Sequence, residues 1–517
     1  MIVLVNPIGN FPLNDDWSYG KSVYYLVKEG KLQFTGWVSM PLIAQVIWGA
    51  LFCLPFGFSF TALRISTLVL GLIGVISTYW ILKEIKANKL ISFFGSLIVA
   101  TNPLYFELSN TFMTDVPFFG FSMLSLLFFI RGMRNEKVFE IIIGTLLACA
   151  ATLIRQLGIA IPLSFGIIYL IKNGIKKKTI LIALIPFIFC CSILFVYQIW
   201  LKNTLGLPAL YHAANNQLLN SFKMPVNFLI SYFLKNNAIA LTYLGLFLFP
   251  FLIAVISKPK SYFYFIIFLI FFVSIVEILQ GHLMPLKGNI LFDIGLGPPT
   301  LHDVYILLPN LPKAPKLIWL IITIVGITGA ALLLYSLLFS IIKLVRFDSD
   351  NRFVLLLIIL IYIFYSFSIA LVDFFDRYLI FLIPLLMVIA ISISDRLQIR
   401  IGITRFISIL ILIIYTIFTV GATHDYISWN RARWNALHYL TNELHIPYED
   451  IDGGFEFNGW YGYDPKYQPQ FGKSWWWVKN DNYIISFGHI PNYTEIKRYP
   501  YKRYIPPGNA YIFILKK

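Results

Sequence analysis

Residues 59–82 read SFTALRISTLVLGLIGVISTYWIL, and KEIKANK follows at 83–89. A helix of about twenty apolar residues crosses the roughly 30 Å of bilayer hydrocarbon. Arg64 is the one charge in the run, and Lys83, Lys86 and Lys89 stand directly behind it. Basic residues behind a span mark its cytoplasmic end. The segment is therefore predicted to cross a membrane with its Ser59 end outside.

Comparable runs recur along the chain. Spans are predicted at 59–82, 91–108, 116–133, 138–154, 157–171, 179–201, 238–257, 261–279, 316–342, 353–371, 378–394 and 404–421. Alternate connections carry Lys83/Lys86/Lys89, Arg131/Arg134/Lys137, Lys172/Lys176/Lys177/Lys178, Lys258/Lys260, Lys343/Arg346/Arg352 and Arg396/Arg400/Arg405, eighteen basic residues in six short loops. The intervening connections hold Asp15, Asp16, Glu107, Asp115, Asp293, Asp303, Asp373 and Asp376. This alternation holds throughout only if Val38–Pro55, apolar but interrupted by prolines, lies on the outer surface instead of crossing.

Composition agrees. Hydrophobic residues make up 58% of the 517 positions and charged residues 13%, with mean hydropathy +0.75. A soluble domain carries about 25% charged residues. The net charge of +16 is accounted for by the cytoplasmic loops, so no nucleic-acid partner is implied. Cys53, Cys149, Cys190 and Cys191 sit in apolar runs without metal-ligand spacing and read as buried small hydrophobes, not a disulfide framework. No cleavable signal peptide is visible, since the chain opens Met1-Ile2-Val3-Leu4-Val5 and turns polar at Asn6.

The expected fold is an all-α polytopic membrane protein of about twelve transmembrane helices with a juxtamembrane helix at 38–55. A first domain, 1–421, comprises an outer acidic loop at 6–37, that helix, and the spans from 59 to 421. Residues 422–517 are expected to form a small α/β extracytoplasmic domain. It begins with a helical stretch, Trp429–His445, followed by alternating runs at 483–487 and 510–514. Outer loops are expected at 202–236 and 280–315.

Chemistry-bearing residues gather on the outer side. Asn14-Asp15-Asp16-Trp17-Ser18-Tyr19 places adjacent carboxylates beside aromatics, an arrangement suited to general-base work and equally to capping a helix. Asp115, in Met113-Thr114-Asp115-Val116-Pro117, is either a functional boundary carboxylate or a helix N-cap, and Glu107 precedes it on the neighbouring span. Arg155 and Arg377 are outer arginines whose forked donors match phosphate, or which snorkel to lipid headgroups. The 280–315 loop adds His282, Lys287, Asp293, His302 and Asp303 among glycines and prolines. Phe457–Tyr463 and Trp475-Trp476-Trp477 are aromatic-dense, suited to filling a small core or to stacking on sugars.

In order and placement these residues resemble the GT-C glycosyltransferases of the protein O-mannosyltransferase and aminoarabinose-transferase type. The resemblance runs through Asp15-Asp16-Trp17-Ser18-Tyr19, Met40-Pro41-Leu42, Phe56-Gly57, Ala62-Leu63-Arg64-Ile65-Ser66, Ala100-Thr101-Asn102-Pro103-Leu104-Tyr105 and Met113–Pro117. It continues at Asp376-Arg377-Tyr378 with Pro384. It implies transfer of a sugar, with inversion, from a polyprenyl-phosphate donor to a glycan, lipid or protein acceptor at the outer face of the cytoplasmic membrane. Asp15 would be the general base, Asp16 its supporting carboxylate and Asp115 the second acidic position. Arg155, Arg377 and Lys287 are the cations placed to meet the donor phosphate. Some relatives bind a divalent metal ion and others do without, and Asp115 and Glu107 are the residues that would hold one. The resemblance also implies a membrane helix before the acidic loop. Met1–Val5 is too short to be one, so either this member has lost that helix or the native start lies upstream, the reading that Ile2–Val5, like the tail of an apolar segment, favours.

A transporter or flippase of lipid-linked sugars would instead place ionisable groups at the bilayer midplane, where Glu277 is the main acid. A surface-polysaccharide polymerase or ligase would rely on arginines and histidine in a large outer loop. The topology is open to direct measurement: cysteines introduced at Lys176–Lys178 should react with impermeant maleimide only after the cytoplasmic side is opened. Labelling from outside would overturn the orientation.

Overall fold

The computed structural model describes residues 1–256, 270, 274, 278–305, 311–344, 349–393, 402–470, 472–474 and 476–517. The expected span 261–279 falls almost wholly outside these, as do Glu277, Lys258, Lys260, Arg346, Arg396, Arg400 and Trp475. Among the described residues nine helices are long and apolar enough to cross a membrane, each at a predicted span. Two further predicted spans take another form. Val138–Thr152 is a shorter apolar helix, and 91–108 divides into Lys89–Ala100 and Pro103–Ser109, bent by 63°.

That bend has a local cause. The Asn102 side chain accepts the Leu104 and Tyr105 amides, and Pro103 takes the first helical position. An Asx cap followed by proline starts a helix, so the chain begins a new one instead of continuing the old. The short second helix carries Glu107 toward the polar end of the bundle. Ile43–Cys53 forms the juxtamembrane helix, shorter than the expected 38–55. At 1.5 Å per residue it is about 16 Å long, too short to span. Gln45, Val46, Gly49 and Cys53 are buried along it, while Ile47 and Leu51 are exposed.

Two expectations need correction. Residues 202–236 are largely helical: Ala209–Ser221 is one helix, and the next, Val226–Val255, begins twelve positions before the predicted 238. The expected boundary at 421/422 falls inside a single helix, Ile403–His438. No proline interrupts residues 403–438, so nothing in the backbone obliges the helix to stop where the apolar pattern does. Its continuation packs Ile427, Ala436 and Leu437 against Ile485, Ile512 and Ile514 of a four-stranded sheet.

The sheet runs Ile451–Asp452, Tyr483–Ser486, Pro507–Lys516, Thr494–Tyr504, its first pair parallel and the others antiparallel. Strands at 483–486 and 507–516 match the alternating runs. Thr494–Tyr504 was not expected. It contains Pro500, which suits it to the edge position it occupies. The four cysteines are unbridged, with Cys149 Sγ 3.0 Å from Cys190 Sγ.

Helices Val226–Val255 and Lys316–Lys343 touch backbone to backbone. A Cβ on Gly245 would lie 2.3 Å from the Ala330 amide nitrogen, and one on Gly329 would lie 2.1 Å from the Gly245 carbonyl oxygen. Such close approach is the small-residue packing mode of membrane helices. Gly245→Leu should force these helices apart and cost about 1–3 kcal/mol, read as a lower thermal midpoint in detergent. An unchanged midpoint would show that the crossing is looser than described.

Candidate active site

Four chain segments converge at one end of the bundle. Asp15 caps the helix Asp16–Glu29 by position, yet its side chain bonds no helical amide. One carboxylate oxygen instead accepts from Trp37 Nε1 at 2.8 Å, and the other from Arg377 Nη2 at 3.3 Å. Asp115 is likewise not a capping side chain. It is the first residue of Asp115–Asn135, following Thr114, and its carboxylate faces the arginines: Arg155 Nη2 at 2.8 Å and Arg377 Nε at 3.9 Å.

The arginines are held by their surroundings. Arg155 Nε donates to Thr114 Oγ1 at 2.9 Å, and its guanidinium lies 4.7 Å from the Tyr378 ring centre. Arg377 Nη1 donates to Asn289 Oδ1 at 2.9 Å and lies over the rings of Phe375 and Tyr378. The neighbouring Asp376 carboxylate accepts the amides of Ile290, Leu291 and Arg377, fixing the 280–315 loop to the segment that bears Arg377. Both Asp115 oxygens, Arg155 Nη2 and Arg377 Nε are buried, and none forms an aligned hydrogen bond among the described residues. Buried polar atoms are ordinarily satisfied, and here the ion pairs with the two arginines are what satisfies the Asp115 carboxylate. The Asp15 side chain is 16% exposed, against 1% for Asp115. Of the two, Asp15 is the more open to an incoming molecule.

The other predicted residues stand elsewhere. Asp16 is fully buried and turned away from the arginines: its oxygens accept the backbone amides of Leu13 and Phe112. It clamps the acidic loop to the turn that leads into Asp115. Burial pushes its carboxyl up to about 8, opposed by the Arg64 guanidinium and those two donors. Lys287 pairs with Asp373 on the wall of a cavity of about 770 Å³ whose lining includes Trp319, Phe374, Tyr426 and Trp429.

Glu107 is buried, with Oε2 unbonded. Among the described residues no group of three or more His, Cys, Asp or Glu could share a metal ion. Two guanidiniums beside Asp115 also oppose a cation there. Among the described residues, Asp115 and Glu107, the pair expected to hold a metal ion, thus gain no third ligand of these types. In the 280–315 loop Asp293 accepts Trp319 Nε1, His302 pairs with Asp452, and Asp303 accepts the Phe487 amide. These residues anchor the loop.

Several site residues carried no sequence signal. Trp37 is one tryptophan among twelve. Arg64 stands in the sequence as a lone charge in an apolar run with no role implied, yet its guanidinium donates to the carbonyls of Pro7, Gly9 and Phe11 and holds the acidic loop from the first predicted span. Asn289 lay in a loop without distinctive spacing.

Residues 39–201 match the family model described as dolichyl-phosphate-mannose-protein mannosyltransferase. The resemblance read from the motifs is borne out over that stretch, which holds Glu107, Asp115 and Arg155 but neither Asp15 nor Arg377. No curated protein matches the chain. A crystal structure of ArnT from Cupriavidus metallidurans bound to undecaprenyl phosphate is 12% identical, covering 88% of this chain and 82% of that one, with TM-score 0.45. The Archaeoglobus fulgidus oligosaccharyltransferase AglB, in complex with an inhibitory peptide and a dolichol-phosphate, is 13% identical, covering 83% of this chain and 54% of its own, with TM-score 0.39.

The state of Asp16 can be tested through stability. A carboxyl whose folded pKa is raised binds its proton more tightly when folded. Its contribution is complete below the ordinary carboxyl range, near pH 4, and is lost as pH rises through about 8. Asp16→Asn should flatten that decline in a plot of thermal midpoint against pH. Parallel wild-type and variant profiles would rule the raised value out.

Proposed function

We propose that this protein is a membrane glycosyltransferase that moves a sugar from a polyprenyl-phosphate donor to an acceptor hydroxyl at the outer membrane face. The observation that carries this reading is the shared guanidinium of Arg377, bonded to Asp15 and within ion-pair distance of Asp115. One cation thus connects a base to an anion site. The family match over 39–201 supports a polyprenyl-phosphate-sugar donor, and the alternation of basic loops supports the outer location.

In this reading Arg155 and Arg377 receive the donor phosphate. Bidentate guanidinium–phosphate pairing is strong and directional, and it draws Arg377 away from Asp15 Oδ2. That oxygen then accepts the proton of the acceptor hydroxyl. The acceptor oxygen bonds to the anomeric carbon on the face opposite the phosphate, and the anomeric C–O bond breaks with its electron pair passing to the phosphate oxygen. The anomeric centre inverts, and the arginines neutralise the leaving polyprenyl phosphate. Asp16 and Arg64 fix the loop on which Asp15 stands.

The prenyl tail has a fitting surface. A groove of about 420 Å³ between Ile43–Cys53 and the helices Val138–Thr152 and Lys177–Thr204 is lined by Ile47, Trp48, Leu51, Leu146, Leu153 and Tyr197. Leu153 lies two positions before Arg155, so a chain in the groove would bring its headgroup to the arginines.

Membranes containing wild type or Asp15→Asn would be supplied with a panel of radiolabelled polyprenyl-phosphate sugars. Loss of a general base should lower turnover about 10²–10⁴-fold while leaving donor binding close to wild type. A folded Asp15→Asn protein with wild-type turnover would refute the assignment.

A further inference from the structure

Asp15 stands one residue beyond a junction of three distant segments, and none of that junction's charged groups takes part in the proposed chemistry. Glu456, on the helix Phe455–Gly462, is fully buried. Its Oε1 accepts the Asn14 backbone amide at 2.9 Å. Its Oε2 accepts Thr300 Oγ1 and Arg433 Nη1, each at 2.7 Å. Arg433 is also fully buried. It donates from Nε to the Gly453 carbonyl at 2.8 Å and from Nη1 to Asn430 Oδ1 at 3.2 Å. The carboxylate therefore spends one oxygen on the acidic loop and the other on the C-terminal region and the 280–315 loop.

The backbone at the junction is specific. Asn14 has φ +56°, a conformation unfavourable for most side chains, and the Glu456 bond holds its amide in that setting. On the far side Gly454 has φ +86°, and a Cβ there would lie 2.5 Å from the Thr300 carbonyl oxygen. That carbonyl accepts the Phe455 amide at 3.1 Å. A second contact runs parallel: Trp37, which donates to Asp15, meets the Phe455 ring at a tilt and the Trp477 ring edge-on, and Trp17 packs on both. The proposed base is thus gripped through its neighbours by the C-terminal region.

A buried ion pair is weak evidence for stability, because desolvation offsets its attraction. Breaking one partner, however, leaves an uncompensated charge and frees whatever the pair had oriented. From this geometry we infer that Glu456, oriented by Arg433, is a positioning residue for Asp15, making the C-terminal region an integral part of the catalytic unit. The inference rests on Asp15 being the base. Glu456 touches neither substrate nor reacting atoms and acts only by holding the Asn14 amide.

The test is a double-mutant cycle between Glu456→Ala and Asp15→Asn, measuring sugar transfer and binding of a polyprenyl phosphate by the purified full chain. A misplacement of about 1 Å costs roughly a hundredfold in rate. Glu456→Ala should lose that order in kcat with donor affinity unchanged, and Glu456→Gln should recover part of it, since its amide oxygen can still accept from Asn14. In the Asp15→Asn background, Glu456→Ala should cause no further loss, because residues acting as a unit are non-additive. If Glu456→Ala elutes as aggregate, Glu456→Gln takes its place in the cycle. Wild-type kcat in the single variant, or the same loss in both backgrounds, would overturn the positioning role while leaving the base in place. An active Asp15→Asn would instead remove the base, and the inference with it.

Discussion

The site depends on how guanidinium charge is distributed within an apolar frame. Arg377 is almost fully buried, and a charge removed from water is tolerable only when opposite charge and hydrogen bonds surround it. It therefore draws carboxylates from two segments a hundred residues apart, Asp15 and Asp115, and takes Asn289 as a neutral partner. Arg155 supplies the second cation and shares the Tyr378 ring. The local charge balance is close to zero, but the contacts are unequal: 2.8 Å between Arg155 and Asp115, 3.9 Å between Arg377 and Asp115. The loosest contact belongs to the group that also touches Asp15, so an arriving anion would meet least resistance there.

Around that centre, polar residues within and between the helices serve mainly as fasteners. Arg64 binds three carbonyls of the acidic loop, Asp16 accepts two amides, Asp376 accepts three, and Glu456 joins three segments. Each uses an ionisable side chain to order backbone that has no regular structure of its own. Irregular backbone at the end of a membrane bundle needs such partners, since its amides and carbonyls have no ladder to join.

Much of this was legible in the sequence. Span length and loop charge are strong, local signals, and the nine long helices fall where apolar runs predict them. Asp15, Asp115, Arg155 and Arg377 could be singled out because the outer connections are poor in arginine and these carboxylates stand directly beside apolar or aromatic runs. What escaped had one of two physical origins. Helices that outrun their apolar stretch, such as Val226–Val255 and Ile403–His438, give no hydropathy signal in the overhang. Contacts between segments hundreds of residues apart, such as Asn14 with Glu456, leave no periodicity at all. Asp16 shows the limit of motif reading: adjacent to Asp15 in sequence, it points into a different environment because successive side chains at a helix start diverge.

The helix Ile403–His438 has thirty-six residues, a rod of about 54 Å against a hydrocarbon layer of about 30 Å. The portion beyond the apolar stretch carries Arg433 and supports the sheet. One continuous backbone therefore serves two neighbourhoods: its apolar part packs among the other helices, and its polar end seats Arg433, which meets Glu456 and through it the Asn14 amide. The placement of the turn before Asp15 is thus tied, through Arg433 and Glu456, to the seating of a helix that begins almost four hundred residues later.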